Sequence, residues 1–242
     1  MHVHPLPAGA LAIIGDIHGE VDALDSILDQ LDRDYPSYHL VFLGDLADRG
    51  PDSPGVIRRV RQRVEAGAQC VLGNHELSVL RKKDKGYNRW FCGTDWKPRE
   101  LPGERVVPMV SLPEDEKAAV LAFFSSMPVA LERSDLRIVH ACWDEGALAA
   151  ARAASGGVLE LYREIPNPQQ EPAALSIHGP GLSQRDTVWE HAEERKQNEN
   201  PLAVLTSGKE RRAEEGDKIV WSGNKWRPLV RVRWWETYDD DI

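Results

Sequence analysis

Three short apolar segments near the start of the chain each run into a glycine that opens a polar loop. Residues 11–14 precede GDIHG, residues 40–43 precede GDLADRG, and residues 69–72 precede GNHE. After the first two loops, apolar residues recur at three- and four-residue spacings, which is typical of a helix with one buried face. The pattern predicts consecutive βαβ units with parallel strands.

The remainder of the chain is less regular. Residues 85–110 mix glycine, proline and tryptophan with charges, and they predict a long irregular insertion of the kind that often forms a lid or a substrate wall. The later elements that we expect are a helix after 111, strands over 128–132 and 136–139, a helix near 146–163, and a hairpin turn over 222–226. The length fits a single domain over residues 1–242.

Side chains that commonly bind metal ions follow four of the predicted strands. Because the carboxyl ends of parallel strands lie along one edge of a sheet, loops that are distant in sequence converge there. We therefore expect the following residues to meet in space: Asp16, His18, Asp45, Asn74, His75 and His140.

The chemistry of these side chains narrows the choice of metal. Carboxylate, imidazole and amide oxygen suit Mn²⁺, Fe or Zn, whereas an all-oxygen set would indicate Mg²⁺ or Ca²⁺. One carboxylate can bridge two ions about 3.5–4 Å apart, and such a pair clamps a phosphate and lowers the pKa of a shared water. Asp45 is the natural bridge, and we expect two divalent ions, Mn²⁺ in the first place with Fe and Zn as alternatives.

The ordered set GDIHG, GDLADRG and GNHE, followed by HAC at residues 140–142, resembles the phosphoprotein phosphatase branch of the calcineurin-like metallophosphoesterases. That branch includes Ser/Thr protein phosphatases and symmetrical diadenosine tetraphosphate hydrolases. The resemblance covers about residues 11–145. It implies a layered α/β (α+β) fold, a β-sandwich flanked by helices, with the metal site at the carboxyl ends of the strands.

The resemblance also implies roles for individual residues. Asp16, His18 and Asp45 would hold the first metal ion, and Asp45, Asn74 and His140 would hold the second. The catalytic residues that it implies are His75 as the general acid, Asp48 as the group that orients it, and Arg49 as the planar fork that grips the phosphate.

The chain departs from this family pattern in its second half. A late Gly-His motif usually supplies one more ligand to the second metal, and no Gly-His dipeptide occurs in this sequence. His178, in SIHGPG, is the best substitute within the chain, whereas His191 lies in a charged stretch that favours a solvated position. The other interpretation is a shortened C-terminus that lacks the last ligand.

The net charge of −9 disfavours a broad nucleic-acid surface. The basic clusters at residues 58–63 and 81–85 lack interleaved aromatic residues and are interpreted as solvated faces. We expect no membrane span, because no apolar run approaches the roughly 18 residues that one needs. Three scattered cysteines and the absence of a signal peptide favour the cytoplasm.

Two functions follow, from different classes. The first is hydrolysis of a phosphoprotein, a dinucleoside polyphosphate or a small phosphomonoester by water at a dinuclear metal centre. Aromatic residues near 90–96 and 234–235 could stack a nucleotide base, although packing in the core or at the rim is the stronger interpretation. The second is a non-catalytic or single-metal phosphate-binding protein on a decayed phosphatase fold, which the missing Gly-His motif alone supports.

Overall fold

The computed structural model of the chain describes residues 2–35, 37–83, 88–93, 108–162, 192–214, 217, 220–222, 225–227 and 229–237. Its strands are β1 (Val3–Pro5), β2 (Leu11–Ile14), β3 (His39–Phe42), β4 (Gln69–Cys70), β5 (Ala130–Arg133), β6 (Leu136–Val139), β7 (Glu210–Arg212), β8 (Val220–Ser222), β9 (Lys225–Arg227) and β10 (Leu229–Arg231). Its α-helices are α1 (Val21–Asp34), α2 (Ser53–Glu65), α3 (Asn74–Leu80), α4 (Arg89–Cys92), α5 (Lys117–Ser126), α6 (Glu145–Ala153), α7 (192–198) and α8 (Pro201–Ser207). Single 3₁₀ turns cover Glu114–Glu116, Val158–Leu161 and Trp234–Thr237.

The first sheet has the order β2-β3-β4, and its strands are parallel. Ile14 pairs with Phe42, and Phe42 in turn pairs with Cys70. Helices α1 and α2 connect the strands, as the βαβ pattern predicts. Since all three strands point the same way, the three glycine-led loops that follow them lie along one edge of the sheet.

The second sheet has the order β1-β5-β6 and faces the first. Strand β1 runs parallel to β5, and β5 runs antiparallel to β6. A compact apolar layer lies between the two sheets and draws on both, and its buried members are Leu6, Val41, Val71, Leu131 and Ile138. The expected mixed α/β fold with packed sheets is confirmed.

Strand β3 is buried on both of its faces. Val41 belongs to the layer between the sheets, whereas Leu40 and Phe42 belong to the larger core that includes Leu24 of α1 and Val56 of α2. A strand covered on both sides needs apolar residues at its buried positions, which is why Leu40, Val41 and Phe42 follow one another without alternation. The central strand therefore anchors the loop that carries Asp45.

The second half of the chain matches the predictions only in part. The hairpin is confirmed, because β8 and β9 pair antiparallel on either side of residues 223–224. The alanine-rich helix is shorter than expected, since α6 ends at Ala153 and a 3₁₀ turn follows. Strand β10 ends at Arg231, a 3₁₀ turn begins at Trp234, and the Trp234 indole donates to the Ala141 carbonyl.

Within the described residues, no helix has both the length and the apolar composition needed to cross a bilayer. The predicted insertion at 85–110 is described only at residues 88–93 and 108–110. There it forms the short helix α4, and the Trp90 side chain on that helix is 1% exposed. This part of the insertion is therefore a component of the core.

Two of the loop glycines touch each other. A Cβ atom on Gly44 would lie 2.5 Å from the backbone nitrogen of Gly73, and Gly44 has a left-handed backbone with φ +86°. A Cβ atom on Gly73 would lie 2.3 Å from Asp45 Oδ1. The second and third loops can approach this closely only because neither glycine has a side chain.

We expect Gly44→Ala to destabilise the fold more than Gly67→Ala, measured as the free energy of unfolding in urea. Gly67 also has a positive φ of +109°, but a Cβ atom added there would have no neighbouring atom within 4 Å, so its substitution introduces backbone strain alone. The additional steric overlap at Gly44 should cost about 1–3 kcal/mol more. Equal losses in the two variants would contradict the tight contact between the loops.

Candidate metal centre

The residues at this edge have an unusual backbone conformation. His18, Asp45, Asp48 and Arg49 all have positive φ, at 47°, 49°, 75° and 67°. Among the described non-glycine residues only Lys82 shares this property. Left-handed conformations are costly for residues with a side chain, and they persist where the surroundings hold them. The strain is therefore concentrated in the two loops that carry the predicted site.

A buried carboxylate that the sequence analysis did not assign holds these loops. Glu76 is 0% exposed; its Oε2 accepts from the backbone N–H of Asp45 at 2.8 Å and of Gly73 at 3.1 Å, and its Oε1 accepts from Leu46 N–H at 2.9 Å. Burial and the charge of Asp45 raise the pKa of Glu76 to about 7, against the lowering effect of the backbone donors. The capping-box spacing between Gly73 and Glu76 was the available sequence signal.

The imidazoles of His18 and His140 have the same tautomer for the same reason. His18 Nδ1 lies 2.9 Å from the Ala47 carbonyl oxygen, and His140 Nδ1 lies 2.5 Å from the Leu43 carbonyl oxygen. A carbonyl oxygen can only accept, so Nδ1 donates in each ring and Nε2 keeps its lone pair. This arrangement presents both Nε2 atoms as ligands.

Asp45 lies at the centre of three imidazoles. Its Oδ2 lies 3.9 Å from His18 Nε2 and 3.8 Å from His75 Nε2, and its Oδ1 lies 3.6 Å from His140 Nε2. These separations are too long for hydrogen bonds, yet they bring the donor atoms within reach of a shared cation. The buried His18 Nε2 has no hydrogen-bond partner, which is the arrangement expected of a metal ligand.

Asp16 completes a second group of donors. One cluster of possible metal ligands consists of Asp16, Asp45 and His140, and the other consists of His18, Asp45 and His75. Within each cluster the ligand atoms lie within 4.8 Å of one another. Asp45 belongs to both groups. The expected set of Asp16, His18 and Asp45 also lies close together, because Asp16 Oδ2 is 3.7 Å from His18 Nε2.

Asn74 is half-buried at the first position of α3. The backbone N–H of the next residue, His75, donates to Asp45 Oδ1 at 3.0 Å. This bond fixes the start of α3 beside Asp45, so the structure places Asn74 at the edge of the same cluster.

The three predicted catalytic residues form a connected group. Asp48 is fully buried, and its Oδ2 lies 2.5 Å from His75 Nδ1. Arg49 Nη2 lies 3.3 Å from His75 Nε2 on the opposite side of the ring. Burial lowers the pKa of His75, but the bond to Asp48 and the charge of Asp45 outweigh burial and raise it overall.

Trp90 has a role that the sequence analysis missed. Its indole Nε1 donates to Asp48 Oδ1, the oxygen that His75 does not use. Because the side chain is buried, the interpretation of Trp90 as a base-stacking surface is wrong, and packing in the core was the correct alternative. Trp235 remains exposed at 58%.

Other predicted residues lie apart from the centre or outside the described ranges. His178, His191 and Trp96 fall outside the described residues. The basic face at 58–63 is confirmed as a set of surface ion pairs: Arg58 pairs with Glu116, Arg59 with Asp25, Arg61 with Glu65, and Arg63 with Asp32. Cys142 is buried, which raises the pKa of its thiol and favours packing over reactivity.

Glu76→Gln should destabilise the protein by about 1–3 kcal/mol, because an amide has one acceptor oxygen and would turn N–H groups towards a backbone donor. The measurement is urea unfolding with Glu116→Gln as the control, since Glu116 pairs with Arg58 at the surface and its loss should cost much less. If both variants lost the same small amount, Glu76 would not be what holds the loops together.

Comparison with known proteins agrees with this geometry. The family model of calcineurin-like phosphoesterases matches residues 10–141, more than half of the chain. A symmetrical bis(5'-nucleosyl)-tetraphosphatase from Janthinobacterium sp. (strain Marseille) is 28% identical over 177 residues, which are 73% of this chain and 57% of that protein. The enzyme of the same name from Serratia proteamaculans (strain 568) is 33% identical over 129 residues, 53% of this chain and 41% of that protein.

A metallophosphoesterase structure from Sphaerobacter thermophilus is 21% identical in sequence, and the match covers 58% of this chain and 53% of that one. The TM-score is 0.36, and this similarity carries no argument about function. The chain spans about half the length of the curated relatives it matches. The match over residues 10–141 includes every predicted metal ligand except His178. The chain belongs to the calcineurin-like phosphoesterase family.

Proposed function

We propose that this chain hydrolyses phosphoesters with the help of divalent metal ions bound around Asp45. The observation that carries the proposal is the pair of imidazoles whose Nδ1 atoms bond to backbone carbonyls and whose Nε2 atoms face the Asp45 carboxylate. The buried, unpartnered Nε2 of His18 supports a cation there, because a lone pair left without a donor in the interior is costly. The family of the chain supports the reaction class.

The residues fit a dinuclear centre. Asp16, His18 and Asp45 would hold one ion, and Asp45, Asn74 and His140 the other, with Asp45 shared. Mixed oxygen and nitrogen ligands favour Mn²⁺, with Fe and Zn as alternatives. When bound, such ions would lower the pKa of water and neutralise charge on the phosphate oxygens.

His75 would protonate the leaving group. Water loses a proton to solvent as its oxygen adds to phosphorus and the ester P–O bond breaks. The leaving oxygen takes a proton from His75 Nε2, which solvent then replaces. Arg49 now donates towards that same nitrogen at 3.3 Å, so a phosphate that takes over the guanidinium would free Nε2 to carry the proton. The bond between Nδ1 and Asp48 orients the ring and stabilises the imidazolium.

His75 also lies in the donor group with His18 and Asp45. Its contacts with Asp48 and Arg49 favour the acid role over that of a ligand, because Asp48 is itself fixed by Trp90 and fully buried. A ring held on both sides can deliver a proton along one direction.

The substrate is a phosphorylated compound, and three classes suit the centre: a phosphoprotein, a dinucleoside polyphosphate or a small phosphomonoester. The names of the relatives support the second class. The proposed catalytic residues would contact only the phosphate, so they do not distinguish among the classes.

Asp45→Asn should abolish Mn²⁺-dependent hydrolysis of p-nitrophenyl phosphate and diadenosine tetraphosphate, because it removes a charge from the one residue shared by both donor groups. The control is His39→Asn, since His39 bonds to Gln69 outside the cluster. The amount of metal bound should fall with the activity, and a chelator should inactivate the unmodified chain. A folded chain that binds one ion or none and shows no turnover would instead be a non-catalytic phosphate-binding relative.

Trp90→Phe should lower kcat by about tenfold or more, because the Asp48 oxygen that Trp90 contacts would lose its donor and His75 would lose a fixed partner. Trp143→Phe is the matched control: the Trp143 indole donates to Glu145, 2.8 Å away and outside this group. Both variants are compared in steady-state kinetics and in thermal unfolding. An equal loss of kcat in the two would show that Trp90 only packs.

A further inference from the structure

A pocket lies along helix α3 and reaches the predicted metal ligand Asn74. It has a volume of about 340 Å³, and Asn74, Leu77, Ser78 and Arg81 line one side of it. These residues are spaced by three, one and three positions, so they share one helix face. Seven residues of helix span about 10 Å, so one end of the pocket lies at a predicted metal ligand and the other at the Arg81 guanidinium.

Positive charge exceeds negative charge among the residues that line this pocket. Arg81, Lys83, Lys196 and Arg231 contribute four cations, and Glu193 and Glu210 contribute two carboxylates, an excess of two positive charges. The whole chain has a net charge of −9. A basic pocket on an acidic protein draws an anion to that place against the repulsion of the chain as a whole.

Helix α7 lines the side of the pocket opposite α3, and hydrogen bonds fix its position. Gln197 donates to the carbonyl oxygens of Ala203 and Gly208 at 2.9 and 2.6 Å. Asn198 exchanges two hydrogen bonds with the backbone of Glu210, at 2.7 and 2.9 Å. These bonds fix α7 against α8 and β7, and with α7 they fix the position of Lys196.

The end of α3 is fixed as well. The Arg81 guanidinium lies over the Tyr162 ring, 3.5 Å from its centroid. A stacked guanidinium keeps its N–H donors at the edge of the group, where they can meet an anion. Arg81 and Lys83, which belong to the run interpreted as a solvated face, are half-buried and line the pocket.

We propose that this pocket binds further phosphate groups of the substrate, several bonds away from the phosphorus that is attacked at the metal centre. This inference rests on the proposed function and extends it: the substrate carries a chain of phosphates rather than a single ester phosphate. Lys196 and Arg81 are the specificity-determining residues. The ion pair of Lys196 with Glu193, at 3.7 Å, is partly exposed and therefore weak, so an anion can compete for Lys196. Arg231 pairs at 3.3 Å with the buried Glu210, but its own side chain is 55% exposed.

Charge reversal at two neighbouring positions of α7 tests the proposal. Lys196 lines the pocket, whereas Arg195 pairs with Glu199 at the surface, so Lys196→Glu is compared with Arg195→Glu. We expect Lys196→Glu to lower the ratio of kcat/KM for diadenosine tetraphosphate to kcat/KM for p-nitrophenyl phosphate by about tenfold, mainly through KM. Arg195→Glu should leave the ratio unchanged.

A binding measurement separates this proposal from the proposed function. The affinity of the metal-free chain for inorganic tripolyphosphate, measured by calorimetry with a chelator present, should fall about tenfold in Lys196→Glu and stay constant in Arg195→Glu. If the unmodified chain showed no turnover, the proposed hydrolase function would be overturned, but the tripolyphosphate affinities measured by calorimetry would still test the pocket. Equal effects of the two reversals, or no tripolyphosphate binding, would overturn the pocket. If Lys196→Glu lost as much affinity for an acidic phosphopeptide as for tripolyphosphate, the pocket would be assigned to protein substrates, and the proposal would also be overturned.

Discussion

The carboxylate of Glu76 is the contact on which the site depends. A carboxylate in the interior is unfavourable unless donors surround it, and here three backbone N–H groups from two loops do so. With the N–H groups of Asp45 and Leu46 directed at Glu76, the chain enters the loop in a left-handed conformation at Asp45. That conformation directs the Asp45 side chain among the imidazoles.

Backbone carbonyl groups also determine the tautomer and the orientation of His18 and His140. The Leu43 and Ala47 carbonyls flank the Asp45 loop, and each fixes the tautomer of one ring. The same short segment therefore supplies the central carboxylate and orients the two nitrogens that face it. A change in this segment would alter both the charge and the direction of the ligands, so its conformation and its chemistry are inseparable.

Much of this arrangement could be predicted from the sequence because parallel strands obey a simple rule. Three apolar strands that each lead into a polar loop place Asp16, Asp45 and His75 at one edge, and the ordered motifs identify the family. Glu76 and Trp90 were missed because their roles depend on buried contacts between loops rather than on local pattern. Arg81 looked like part of a solvated run, and only the packing of α7 and β10 beside α3 makes it part of a pocket wall.

The order of the strands also bears on how the site assembles during folding. Strands β2, β3 and β4 pair with neighbours in sequence, so the edge that carries Asp16, Asp45 and His75 arises from local contacts. His140 follows β6 of the other sheet, where β1 must pair with β5 across more than half of the chain. Closing so long a loop is the slower event. Loop-closure entropy therefore favours early pairing of β2, β3 and β4, and we expect His140 to join the other groups when the second sheet closes.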